Sequence, residues 1–191
     1  METFVRTPQG FVARIETRER VVLSELLRQF IELMSDEGLG GAPSWDAHGD
    51  TDPLLRLERT LGAPQLSARL ADPALRRLFP DAYRDDEEAS AEYARLTRMD
   101  LRDAKVAAAL QVGEDLGDRS LGRRLVVSHE NVLAWMTTLT NLRLVMSERI
   151  HIEQLDGGFE DDIPEDDPRF AIWNLYNWLG WVQESLVDCV L

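Results

Sequence analysis

Phe170-Ala171-Ile172-Trp173-Asn174-Leu175-Tyr176-Asn177-Trp178-Leu179-Gly180-Trp181-Val182-Gln183-Glu184-Ser185-Leu186-Val187-Asp188-Cys189-Val190-Leu191 closes the chain and reads as an amphipathic helix. At about 100° per residue, Ile172, Leu175, Leu179, Val182, Leu186 and Val190 fall on one apolar stripe. Asn174, Asn177, Glu184 and Asp188 form the opposite, polar stripe. Three of the five tryptophans are here. Trp178 flanks the apolar stripe, whereas Trp181 falls inside the polar one. Trp181 is therefore either an outward contact or part of the core around a surrounded helix. Aromatic side chains bury much area at small entropic cost and are enriched in interface cores. That makes Trp178 and Trp181 candidate interaction residues.

The other elements follow from the same kind of spacing. Asp167-Pro168 opens the last helix, and Asp52-Pro53 and Asp72-Pro73 repeat that start signal. Aspartate accepts the free amide protons of a first turn, and proline fits the first helical position because it lacks a donor. Thr17 is a candidate cap for a helix carrying Val22, Leu23, Leu26, Leu27, Phe30, Ile31 and Met34, which Gly38 and Gly40-Gly41 end. A long helix is expected from about Asp86 to Leu116, with Asp86, Glu87 and Glu88 at its positive end. Ser128 is expected to cap a further helix reaching Ile152. Phe4 to Ile15 reads as two short β-prone runs around a Pro8-Gln9-Gly10 turn.

Residues 38–51 are expected to form a flexible loop. Within it, Trp45 either tucks back onto the body or serves as a contact residue. Residues 117–127 read as a loop bearing Arg119, Arg123 and Arg124. Residues 156–167 form an acidic loop with seven acids and no base. The expected fold is mainly α, a single domain over residues 1–191. It is a helical bundle of five to six helices with a small N-terminal β-hairpin within residues 1–15.

A chain of 191 residues can bury a core without staples. Its net charge of −14 opposes non-specific binding to nucleic acid and to anionic lipid, both of which reward Lys and Arg. Direct nucleic-acid binding is therefore not expected. The Arg-dense places, Arg69/Arg76/Arg77 and Arg119/Arg123/Arg124, read as solvated faces or partners for the acidic loop. No apolar run is long enough to cross a bilayer, and the first residues lack a signal-peptide pattern. Cys189 is the only cysteine, which excludes an intramolecular disulfide and points to a reducing, cytoplasmic setting.

Catalytic and cofactor chemistry finds little footing. His48, His129 and His151 lack metal-ligand spacing, and the acidic loop lacks the ordered ligands of an EF-hand. Nucleophile-elbow, P-loop and dinucleotide patterns are absent. The expectation is a non-enzymatic protein with no metal and no cofactor.

One constellation calls for a buried pair. Asp103 lies on the stripe of Leu96, Met99, Val106 and Leu110, and Arg143 on that of Val132, Met136, Leu139, Met146 and Ile150. An unpaired buried charge costs several kcal/mol. Asp103 and Arg143 are therefore expected to meet across a helix interface and fix its register, with Asp100 as the substitute partner.

Three motifs carry a resemblance: Asp72-Pro-Ala-Leu-Arg-Arg-Leu-Phe-Pro-Asp-Ala-Tyr83, Asn141-Leu-Arg-Leu-Val145 with Arg149, and Leu175-Tyr-Asn-Trp-Leu-Gly-Trp-Val-Gln-Glu-Ser-Leu186. Nearly the whole chain resembles an actinobacterial family catalogued as a domain of unknown function. Its genes often neighbour a Clp-protease adaptor and a cysteine-biosynthesis cluster, and some members are named oxidative-stress transcriptional regulators. The resemblance implies a regulator acting on a protein partner, a sigma factor or RNA polymerase. The alternative it implies is an adaptor or assembly factor for Clp proteolysis or cysteine supply. It also makes Cys189 the redox candidate, restricted to an intermolecular role. A homodimer is the expected assembly.

Overall fold

The computed structural model describes residues 1–35, 70–118, 120–152, 164 and 166–191. Among them are three strands and five helices. The order is β1 (Val5–Thr7), β2 (Gly10–Arg14), α1 (Thr17–Met34), α2 (Pro73–Leu78), α3 (Glu87–Gly117), β3 (Arg124–Val127), α4 (Val132–Arg149) and α5 (Pro168–Val190). The mainly helical fold with an N-terminal hairpin is as expected. The flexible loop at 38–51, Trp45 and the Asp52-Pro53 start lie outside the described residues, as does most of the acidic loop.

The sheet is antiparallel, in the order β1-β2-β3, with Val5 opposite Val12 and Phe11 opposite Val127. Gly10 makes this pairing possible. Its φ is +125°, and a β-carbon there would sit 2.2 Å from the Val127 carbonyl oxygen. The inner face of the sheet supplies Phe11, Ala13, Leu125 and Val127 to the core. Sequence reading placed residues 117–127 in a loop; the structure corrects this, because Arg124–Val127 pairs with the open edge of β2. A four-residue run has no stability of its own and is a strand only where a partner edge is offered.

Three of the described helix starts follow the expected chemistry. Asp72 accepts from the Ala74 amide and Asp167 from the Arg169 amide, both at 2.8 Å. Asp86 caps α3 through the Ala89 amide at 2.8 Å. The cap of α1 is corrected from Thr17 to Glu16, whose side chain forms a capping box with Glu19. Ser128 accepts from the Asn131 amide at 3.1 Å, but α4 begins later than expected, at Val132.

Helix α4 is the centre of the bundle, packed against α1, α2, α3 and α5. Trp135, Leu139, Leu142 and Met146 are buried on it, together with Thr138 and Asn141. Trp135 is fully buried, with its indole N–H donating to Asp115 of α3 at 2.7 Å. Helix α5 lies against α4 and β1 and buries Leu179, Val182 and Leu186. Its polar residues Asn174, Asn177, Glu184 and Asp188 are exposed.

Candidate functional site

Arg143 projects from α4 onto α5. Its Nη1 donates to Gln183 Oε1 at 2.9 Å and its Nη2 to the Tyr176 hydroxyl at 3.2 Å. The guanidinium carbon lies 4.8 Å from the Tyr176 ring centre, a cation–π distance. Trp173 stacks on Tyr176 with ring centres 5.8 Å apart. Gln183 also donates to Thr140 Oγ1 at 2.7 Å. Tyr176, Gly180 and Gln183 stand at i, i+4 and i+7, so they share one face of α5. Gly180 is where the α5 backbone nears the guanidinium: a β-carbon there would lie 3.4 Å from Arg143 Cζ.

The expected Asp103–Arg143 pair is not formed. Asp103 is exposed, and the hydrogen-bond partners of Arg143 are neutral groups on α5. Asp100 is exposed too. The inward positions of α3 include Arg98 and Arg102, which are 5% and 2% exposed, beside Val106 and Ala109, while Leu96 faces solvent. Arg102 Nε donates to the Met34 carbonyl at 2.9 Å, so that guanidinium is satisfied by backbone at the end of α1. Burial pushes both guanidinium pKa values down. An inward face that is partly charged defeats a phase assigned from apolar residues alone.

The three motifs meet at this place. Arg77 of α2, Thr140, Arg143 and Ser147 of α4, and Tyr176 and Gln183 of α5 line a cavity of about 260 Å³. Nearby, Arg149 Nη2 reaches Asp72 Oδ2 at 2.6 Å and ties α4 to the start of α2. Partial burial pushes the Asp72 carboxyl up, but Arg149 and the Ala74 amide outweigh it and hold the pKa below the usual carboxylate value. Sequence reading named Arg143 but missed Tyr176, Gly180 and Gln183 as its partners. The signal available for them was their shared helical face.

Arg143 also borders a second cavity of about 590 Å³, lined by Asn177, Gly180, Trp181, Glu184 and Asp188. Trp181 is 38% exposed there, on the polar side of α5. Trp178 is half-buried against the core. Cys189 is half-buried, and its thiol donates to the Phe4 carbonyl at 2.9 Å. The groups around it include Trp181, Glu184 and Asp188. Thiols are activated beside cations, histidine or a helix N-terminus, and none of these lines that cavity.

Between α1 and the α4–α5 pair runs an apolar cavity of about 680 Å³, walled by residues such as Leu26, Leu33, Val145 and Leu175. Among the described residues, no group of three His, Cys, Asp or Glu side chains is placed to hold a metal ion. No described helix is long and apolar enough to cross a membrane.

The chain belongs to the family described as Domain of unknown function (DUF2017), whose model matches residues 1–190. It is 29% identical over 199 residues to "Oxidative stress regulator AosR" of Mycobacterium tuberculosis, covering 96% of this chain and 84% of the relative. The protein of the same name from Mycobacterium bovis matches equally, at 29% over 199 residues. No solved structure matches the chain.

Proposed function

We propose that this chain is a non-enzymatic, cytoplasmic regulatory protein of the oxidative-stress response that acts through protein–protein contacts. The observation that carries this reading is Trp181, a large aromatic 38% exposed on the otherwise polar face of α5, beside the Arg143 cluster. Anchors of this kind, set among polar neighbours, carry a large share of interface energy. The relatives named oxidative stress regulators supply the process. The net charge of −14 favours a protein partner over DNA, and the partner proposed is a sigma factor or RNA polymerase, met by a homodimer.

The test is affinity capture from an actinobacterial lysate with and without peroxide, using the wild-type chain and Trp181→Ala. Recovery of RNA polymerase or a sigma factor, lost in Trp181→Ala, supports the reading. Recovery of Clp components instead, or capture that ignores Trp181, overturns it. Cys189→Ser with an unchanged peroxide response removes redox sensing from this chain.

A further inference from the structure

We propose that Lys105 is a carbon dioxide site, where the ε-amine adds CO₂ reversibly and the resulting carbamate is held by Asn141. The inference stands apart from the protein-contact reading, because it concerns the contact of α3 with α4 and not the Trp181 face.

The amine is the first argument. Lys105 is the only lysine of the chain and is half-buried on α3. Its Nζ donates to Asn141 Oδ1 of α4 at 3.0 Å and lies 5.8 Å from the centre of the Phe79 ring. Both partners are neutral. In a chain with 35 acidic residues, no carboxylate among the described residues pairs with this ammonium. Burial without a counter-charge favours the uncharged amine and pushes its pKa below the usual lysine value. The uncharged amine is the nucleophile.

The amide opposite is the second. Asn141 is 3% exposed, and while its Oδ1 accepts from Lys105, its Nδ2 is buried with no hydrogen-bond partner. Thr138 lies between Trp135 and Asn141, which both bond to α3, and its hydroxyl is buried without a partner too. That side of α4 therefore holds two donors awaiting acceptors. An ammonium offers none, whereas a carbamate offers two oxygens. Its N–H keeps the bond to Oδ1, and the oxygen on the same side of the C–N bond accepts from Nδ2. An acylated lysine does not match this edge, because a trans amide points its N–H and C=O in opposite directions.

In the addition, the amine lone pair attacks the carbon of CO₂. A C–N bond forms, one C–O π pair moves onto oxygen, and the nitrogen releases its proton to water. No oxidant or further reactant enters.

The experiment exposes the full chain to ¹³C-labelled bicarbonate with dissolved carbon dioxide. The adduct is trapped with triethyloxonium and located by digestion and mass spectrometry. The trapped carbamate ester should map to Lys105 and vanish in Lys105→Arg. In the same buffer, the side-chain amide resonances of Asn141 should shift as the labelled carbon signal saturates. Asn141→Asp exchanges the Nδ2 donor for an oxygen and should weaken carbon dioxide uptake roughly tenfold or more. Occupancy no greater than that of a capped lysine peptide, label confined to the Met1 amine, or Asn141 resonances unmoved by bicarbonate would each overturn the proposal. The resonance measurement uses the wild-type chain, so it decides the matter even where Asn141→Asp fails to fold.

Discussion

The Arg20 guanidinium, in the first turn of α1, donates to the carbonyl of Leu116, in the last turn of α3. A second bond runs to the Gly122 carbonyl at 3.3 Å. Arg102 of α3 returns the arrangement by donating to the Met34 carbonyl, at the end of α1. Each helix thus carries the cation that satisfies the other's C-terminal carbonyls, where the macrodipole favours positive charge. Hydrogen bonds to charged groups contribute about 1.5–3 kcal/mol, so Arg20→Met and Arg102→Met should each destabilise by about that much. Met34 lies fourteen residues beyond Arg20 on α1, roughly 20 Å along the helix, so the double variant should lose the sum within about 0.5 kcal/mol. Urea unfolding midpoints with unchanged slopes would establish this; a strongly non-additive double variant would contradict it.

Gly10 is where the hairpin is most exposed to substitution. Alanine there meets both the positive φ and the Val127 carbonyl at 2.2 Å. Gly10→Ala should cost roughly 2 kcal/mol or more and loosen β3 from β2. Amide exchange at Phe11, Ala13 and Val127 reports it, and native-like protection there would refute the assignment.

Gly180 differs, and the sign of its prediction is opposite. Its helical backbone admits a β-carbon at an ordinary 3.4 Å from Arg143 Cζ. Gly180→Ala should therefore be neutral or stabilising by up to about 1 kcal/mol through helix propensity. Gly180→Leu has no such room and should push Arg143 off Gln183 and Tyr176. Thermal unfolding orders the three proteins as alanine, wild type, leucine; a destabilised alanine variant would show that the guanidinium sits closer than described.

Asp72 gives a pH signature. Its folded pKa lies below the ordinary carboxylate value. The stability it contributes is therefore present above its unfolded pKa, about 4, and is lost as pH falls through the lower folded value. Asp72→Asn keeps a competent helix cap but loses the charge paired with Arg149. It should be less stable than wild type by up to about 1 kcal/mol at pH 7, and the gap should close below about pH 4. A gap that persists in acid would remove the ion pair as its cause.

Trp135 and Trp181 separate core from surface. Trp135 is fully buried and hydrogen-bonded to Asp115 Oδ2, so Trp135→Phe should cost at least about 1 kcal/mol from the loss of that bond, although Asp115 Oδ1 keeps its bond from Asn131. Trp181→Ala should cost less than about 1.5 kcal/mol, because part of that side chain already faces water. Denaturant titration of the two variants checks the contrast.

Sequence alone determined the described helices and the starts at Asp72, Asp86 and Asp167, because those are local. Asp-Pro signals supply amide acceptors within two residues, and the stripe through Leu179, Val182 and Leu186 repeats with the pitch of one helix. The polar stripe of α5, with Trp181 in it, was equally legible. Tertiary structure decided what depends on a second element. Arg124–Val127 became a strand only because β2 had an open edge. Arg102 took the inward position assigned to Asp103 because a carbonyl of α1 waited there, and no pattern within α3 records a carbonyl of another helix. Arg143 found Gln183 and Tyr176 in place of an acid for the same reason. A charge on an apolar stripe announces that it needs a partner, but only the packing of helices chooses which.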